Sequence, residues 1–244
     1  FFVYDYIESM YKINKKKKKK GSIMNKCKTK KYFKTDDEVK LVLDKLEAEY
    51  PDADCALHYD SIFHLLLAVV LSAQTTDASV NKITPRLFST YENPAQLAAA
   101  DIKDVEGLIK TLGLYKNKAK SLIGIGNMLT ESYGGEVPRD FSELQKLPGV
   151  GRKTANVVMS VGFGEPHIAV DTHVFRVSNR IGLVDEGDVL KTEKALMEVI
   201  PKNRWSHMHH VLIFHGRRCC TARNPKCEEC CIRDVCRYNT ENQK

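Results

Sequence analysis

The 244-residue sequence has no apolar run long enough to cross a bilayer. Its longest, IFHLLLAVVLSA (62–73), contains His64 and reads as a helix buried on most sides. Period-two alternation of apolar and polar residues is also missing, which excludes half-buried strands as the main elements. The N-terminal stretch does not read as a secretory signal, because its lysines follow the apolar residues instead of preceding them. Acidic side chains are absent between Gly107 and Thr130, where Lys110, Lys116, Lys118 and Lys120 form one basic stretch.

A hydrophobic content of 43% and a charged content of 28% describe an ordinary globule with room for one large domain or two small ones. The net charge of +7 suggests a polyanionic partner, but its distribution weakens that inference. Residues 1–34 hold 12 lysines and two acids, so residues 35–244 hold 26 bases and 29 acids. What remains is patchy: besides the lysine stretch, Arg217, Arg218, Arg223, Lys226, Arg233 and Arg237 outnumber Glu228, Glu229 and Asp234. Residues 1–34 are expected to be a disordered basic segment. Its lysine run before Gly21 is what purine-rich codons of a ribosome-binding site would encode, so residues 1–23 are expected to be translated leader ahead of Met24. The alternative is a basic arm adding non-specific affinity for nucleic acid.

Helical periodicity dominates. Residues 36–49 place Val39, Leu41, Val42 and Leu46 at helical spacing ahead of Pro51. Asn93-Pro94 is a cap with proline at the first helical position. Asp101 caps a segment expected to run to Gly113, and further helices follow over about 116–132, 141–146, from Arg152, 172–181, 188–200 and 204–217. Some ten helices with short connections predict an all-α protein.

LPGVGRKTANVV (147–158) joins two of these helices. Gly149 and Gly151 are free to take positive φ and to approach a ligand without a Cβ. The unpaired N–H groups opening the next helix then face the same place, a phosphate site that reads no base sequence. A plain hairpin turn is the bland alternative; a Walker-type loop has the wrong spacing and no preceding strand. Lys153, in the first turn, opposes the helix dipole, and partial burial beside Arg152 would favour its neutral, nucleophilic form. Asp171, in VDTH (170–173), is most simply the N-cap of the following helix, a role that also keeps it ionised.

Six of the eight cysteines lie between Cys219 and Cys236. Crowding at one end of a large globule argues for a metal over a disulfide framework. Only Cys227 and Cys230 make a short zinc-type pair, so the spacing admits both zinc and a 4Fe–4S cluster.

Taken together, LLLAVVLSAQTTDASVNK, GLYKNKA, LPGVGRKTANVV, AVDTH and the Cys220/Cys227/Cys230/Cys236 spacing resemble the helix-hairpin-helix DNA glycosylase superfamily, and within it the bacterial endonuclease III family. The resemblance spans roughly residues 35–240. It implies a two-domain helix-hairpin-helix glycosylase fold with a C-terminal iron–sulfur cluster loop. Residues 55–165 would form a six-helix domain, and residues 35–54 plus 166–244 a second domain carrying a 4Fe–4S cluster on those four cysteines. Cys219 and Cys231 fall outside the pattern. It further implies a bifunctional glycosylase and abasic-site lyase of base excision repair, acting as a monomer in the bacterial cytoplasm at the nucleoid. Its partner would be double-stranded DNA with oxidised pyrimidines or abasic sites. Lys153 would attack the sugar, Asp171 would assist, Gly149 and Gly151 would hold the backbone, and Gln74 and Leu114 would fill the gap left by the extruded nucleotide. Without the resemblance, Gln74 reads as a polar helix end and Leu114 as core. An adenine-mismatch glycosylase of the same fold usually lacks the hairpin lysine and carries a further C-terminal domain; here Lys153 is present and eight residues follow Cys236. A non-catalytic DNA-binding module would not need Lys153 and Asp171 together.

Overall fold

A computed structural model describes residues 35–242; the expected leader and basic arm lie outside the described residues. Among these, the regular elements are helices and no strand occurs. Helix α1 (Asp36–Glu49) opens with a capping box in which Thr35 and Glu38 satisfy each other's backbone N–H. Helix α2 (Ile62–Leu71) is buried from Phe63 to Leu71, as its unbroken apolar run predicts. Helix α3 (Asp77–Thr90) is poorly signalled in the sequence, because Pro85 sits in its interior and removes one backbone donor. Asn93 caps the short α4 (Pro94–Ala98) through the N–H of Gln96.

Helix α5 (Ile102–Ile109) starts at the Asp101 cap as expected but stops short of Gly113. The left-handed residue that begins the next helix is Leu114, with φ 58° and ψ 27°. Helix α6 (Tyr115–Ser132) follows, then α7 (Phe141–Leu144) and α8 (Arg152–Val157). Helix α8 passes directly into a π turn, Val158–Gly162. Close packing of this turn shows at Gly162, where a Cβ would meet Leu65 and Ile62 side-chain carbons at 3.1 and 3.2 Å. Helix α9 (Thr172–Ile181) ends at Gly182 in the left-handed conformation. Helices α10 (Val189–Val199), α11 (Trp205–Arg218) and α12 (Arg237–Asn242) complete the chain, with two 3₁₀ turns, Cys227–Glu229 and Arg233–Val235, between the last two.

Two hydrophobic cores organise these helices. The first gathers side chains from Leu57 to Met159, with Ala169, around the buried α2. The second unites Val42, Leu43 and Leu46 of α1 with α9, α11 and the cysteine-rich segment. A chain that leaves α1 for the first core and returns at Ile168 makes the second core non-local, which no local pattern reveals.

Candidate active site and metal centre

A cavity of about 300 Å³ lies where the cores adjoin. The end of α2 contributes Ser72 and Gln74, α8 contributes Lys153, the cap of α9 contributes Asp171, and α11 contributes His209 and Arg217. Lys153 and Asp171, 18 positions apart in sequence, thus line the same space.

Asp171 is the N-cap foreseen for it. Its Oδ1 accepts the N–H groups of His173 and Val174, each at 2.8 Å. Burial pushes its carboxyl up, but the charge of Lys153 and the Val174 N–H overcome this and hold it below the usual carboxylate range. Two premises about Lys153 fail. It is exposed, not partly buried, because it stands at the open first turn of α8. Arg152 turns away, its Nη2 donating to Glu193 Oε1 at 2.5 Å and its Nε to the same carboxylate at 3.0 Å. Glu193, almost wholly buried on α10, also accepts from Asn156 Nδ2 at 3.0 Å. The helix carrying Lys153 is thereby clamped from both sides of that residue to the second core.

Of the two hairpin glycines, Gly149 has the positive φ, 78°, and a Cβ there would lie 2.8 Å from Ser121 Oγ. Gly151 is extended, with φ −90° and ψ 178°, and a Cβ there would meet nothing within 4 Å. Only Gly149 needs glycine for its backbone; Gly151 leaves open space before the free N–H groups of α8.

Gln74 and Leu114 are the non-glycine residues with positive φ among those described, at 54° and 58°. Such strain in bulky residues points to a functional constraint. Leu114 is 57% exposed, which overturns the core reading of its sequence position. The two are neighbours: the Gln74 carbonyl lies 3.9 Å from where a Cβ on Gly113 would stand. Lys118 joins the same structure from below, donating from Nζ to Thr75 Oγ1 at 2.6 Å. It is buried, so it is not part of the free basic surface that the sequence suggests, and burial lowers its pKa.

The C-terminal basic run is likewise largely paired. Arg217 meets Asp77 at 2.9 Å, Arg218 meets Asp52 at 3.3 Å, Arg233 meets Glu228 at 2.6 Å and Arg237 meets Asp185 at 3.3 Å. Exposed pairs of this kind contribute about 0–1 kcal/mol each.

Sequence reading missed His209. It is buried on α11 and its Nδ1 lies 2.7 Å from the Ala169 carbonyl, so Nδ1 carries the proton. Burial, reinforced by His210, pushes its pKa down to about 3, and it lines the cavity as a neutral imidazole. The available signal is the histidine pair 209–210 ahead of the apolar run 211–214, which alone reads as core.

The cysteine-rich segment is tied to the same helix that presents Asp171. Arg176 Nη2 donates to the Gly216 and Cys220 carbonyls at 2.9 and 3.1 Å, and Arg180 Nη1 to the Thr221 carbonyl at 2.7 Å. Cys220 and Cys236 are buried, and Arg180 Nη1 stands 3.7 Å from Cys220 Sγ. Burial raises the Cys227 thiol, and the charges of Cys220 and Cys230 raise it further. Burial likewise raises Cys236, with Cys230 and Cys220 adding to it. Repulsion from neighbouring thiolates at Cys227 and Cys236 is what a cationic iron core would remove, and soft sulfur donors suit it.

Fold and site together define a helical protein with a glycine hairpin, an amine and an acid on one cavity, and a cysteine-rich C-terminal loop. Residues 67–202 match the family model described as HhH-GPD superfamily base excision DNA repair protein, and residues 220–236 that of the iron–sulfur binding domain of endonuclease III. Endonuclease III of Bacillus subtilis is 50% identical over 208 residues, covering 85% of this chain and 95% of the relative. Endonuclease III of Escherichia coli K12 is 46% identical over 197 residues, covering 81% and 93%. A solved structure of a trapped endonuclease III–DNA covalent intermediate superposes with a TM-score of 0.81 at 49% identity, covering 87% of this chain and all of the other. The chain belongs to the helix-hairpin-helix base-excision repair superfamily and, within it, to the endonuclease III family. Its cofactor is a 4Fe–4S cluster. No helix among the described residues is long and apolar enough to cross a membrane.

Proposed function

We propose that the chain is a bifunctional DNA glycosylase and abasic-site lyase that removes oxidised or saturated pyrimidines, such as thymine glycol, from double-stranded DNA. The observation that carries this reading is the shared cavity of Lys153 and Asp171 beside the hairpin. Gly149 and Gly151 hold the phosphate backbone through N–H groups, and the target nucleotide leaves the stack at a cost of about a few kcal/mol. Gln74 and Leu114 occupy the gap. Their strained backbones are already set in the free protein, so the ordering cost is not met during binding.

Lys153 Nζ bonds to C1′ of the extruded nucleotide, and the base departs with the electrons of its glycosidic bond and a proton. Ring opening yields a Schiff base on Lys153. Loss of a C2′ proton then expels the 3′ phosphate, and water hydrolyses the imine to restore the lysine. Asp171, kept ionised by the charge of Lys153 and by its capping hydrogen bonds, offsets the positive charge developing on the sugar and accepts the proton that Lys153 must lose. Cys220, Cys227, Cys230 and Cys236 hold the cluster, which supplies structural cross-linking of the segment. Arg176 and Arg180 transmit that order to α9. The two domains of this reading are 55–165 and 35–54 with 166–244, each built mainly on one of the two cores, with Ala169 packing in the first. Every residue of the site comes from one chain, so a monomer suffices, working in the bacterial cytoplasm at the nucleoid.

Borohydride trapping on DNA with thymine glycol or an abasic site tests the reading. The unmodified protein forms a covalent adduct and Lys153→Ala forms none; a persisting adduct would remove Lys153 from its role. Asparagine caps helices as well as aspartate does. Asp171→Asn therefore keeps the fold and DNA binding and loses strand cleavage.

A further inference from the structure

The strongest cluster of soft donors outside the cavity lies at the C-terminal end of α11. His215, in the last turn of α11, and Cys219, its C-cap, stand four residues apart, with the Cys219 N–H bonded to the His215 carbonyl at 3.0 Å. The ligand atoms of His215, Cys219 and Cys230 all lie within 4.8 Å of one another. His215 Nε2 is 3.9 Å from Cys230 Sγ, and its other nitrogen, Nδ1, is 3.1 Å from the Tyr50 hydroxyl. A hydrogen bond on the far nitrogen is how metal-binding imidazoles are oriented, with the near nitrogen's lone pair turned to the metal. Cys231, the next residue after Cys230 in the chain, offers a further sulfur beside the group. His215 and Cys219 lie outside the iron–sulfur segment 220–236, and Cys231 is not among the four cysteines assigned to the cluster above.

Two thiolates and an imidazole suit zinc in number and softness. Tetrahedral zinc, with Zn–S about 2.3 Å and Zn–N about 2.0–2.1 Å, places two of its ligands about 3.5–3.8 Å apart. The separations here need close by only a fraction of an ångström to about 1 Å. We propose that His215, Cys219 and Cys230 form a zinc site, with Cys231 as fourth ligand, that competes with the 4Fe–4S cluster for Cys230. Cys219 and Cys231 each release a proton to solvent on binding zinc; Cys230, already a thiolate when it holds iron, gives that iron up to solvent as it takes the zinc. The competition rests on the cluster ligands proposed above; zinc binding itself does not.

The test uses full-length, cluster-loaded protein incubated with zinc chloride, desalted, and assayed for zinc, iron and the visible absorbance of the cluster. The unmodified protein retains one zinc per chain and loses iron in step. Cys219→Ser retains at least about tenfold less zinc and keeps its iron, and Tyr50→Phe weakens zinc retention roughly ten- to hundredfold. No retained zinc, or equal retention in Cys219→Ser, overturns the site. Zinc retained with all iron kept overturns the competition for Cys230. A Cys219→Ser protein isolated without iron would instead overturn the four-cysteine ligand set.

Discussion

Alanine at Gly149 and at Gly151, one at a time, separates the hairpin's structural duty from its binding duty. At Gly149 the φ of 78° puts an L-residue in the left-handed region, at a cost of about 1–2 kcal/mol. The new Cβ would also stand 2.8 Å from Ser121 Oγ and 3.0 Å from Ser121 Cβ, and such overpacking costs about 1–3 kcal/mol. The sum, about 2–5 kcal/mol, is a large fraction of the roughly 5–15 kcal/mol that holds a domain together. It corresponds to a fall in Tm of roughly 4–20 °C for a chain of this size. At Gly151 the backbone is extended and a Cβ meets nothing within 4 Å, so stability should move by no more than about 0.5 kcal/mol. The methyl group would, however, project into the space before the α8 N–H groups. Displacing a phosphate from one such charge-assisted hydrogen bond costs about 1.5–3 kcal/mol, a tenfold or greater loss of affinity. Thermal unfolding of the iron-loaded protein and DNA anisotropy at one fixed salt concentration read the two effects. Unchanged affinity in Gly151→Ala would refute the phosphate grip, and an unchanged Tm in Gly149→Ala would refute the strain argument.

Leu114→Gly should relieve the left-handed strain, leaving stability unchanged or raising it by up to about 1 kcal/mol, while lowering affinity for lesion DNA; a destabilised variant would mean that the leucine packs in solution. His209 titrates near 6.5 when unfolded and at about 3 when folded, so its contribution is complete above pH 6.5 and is lost as pH falls towards 3. Urea unfolding between pH 4 and 6 should show stability falling by up to about 1.4 kcal/mol per pH unit from this group. His209→Asn, which retains a donor to Ala169, should flatten that slope, and an unaltered slope would place the proton uptake elsewhere. Glu193→Gln leaves Arg152 half-paired; because the Arg152 side chain is 44% exposed, the expected cost is about 1–3 kcal/mol and not the larger penalty of a fully buried pair. Its lyase rate should fall along with stability, measured by single-turnover cleavage of abasic DNA; an unchanged rate would show that the clamp does not position Lys153.

Local signals carried much of the fold. Asp171, Asn93 and Asp101 cap where their side chains and following residues predict, because a cap needs only a neighbour two or three positions away. The buried α2 follows from nine consecutive non-charged residues that nothing on the surface would accommodate. Less legible were α3, hidden by Pro85, and the start of α6, where Leu114 and not Gly113 takes the left-handed conformation. The basic patches were over-read for the same reason: a count of arginines and lysines is blind to Asp77, Asp52, Asp185 and Thr75, which approach from distant segments.

By itself the sequence determined the helices, the hairpin with its glycines, and the family of the chain, since ordered motifs and helix caps are properties of neighbouring residues. Only the tertiary structure decided that Lys153 and Asp171 share one cavity, that a neutral His209 lines it, and that Arg152 faces Glu193. It also decided that Leu114 is exposed and strained and that His215 and Cys219 approach Cys230. The last is set by the cysteine-rich segment turning back onto α11 only 15 residues on; the others rest mainly on contacts between segments farther apart in the chain. Such contacts form when two separate apolar cores close on each other, and they leave no period or spacing in the linear order of residues.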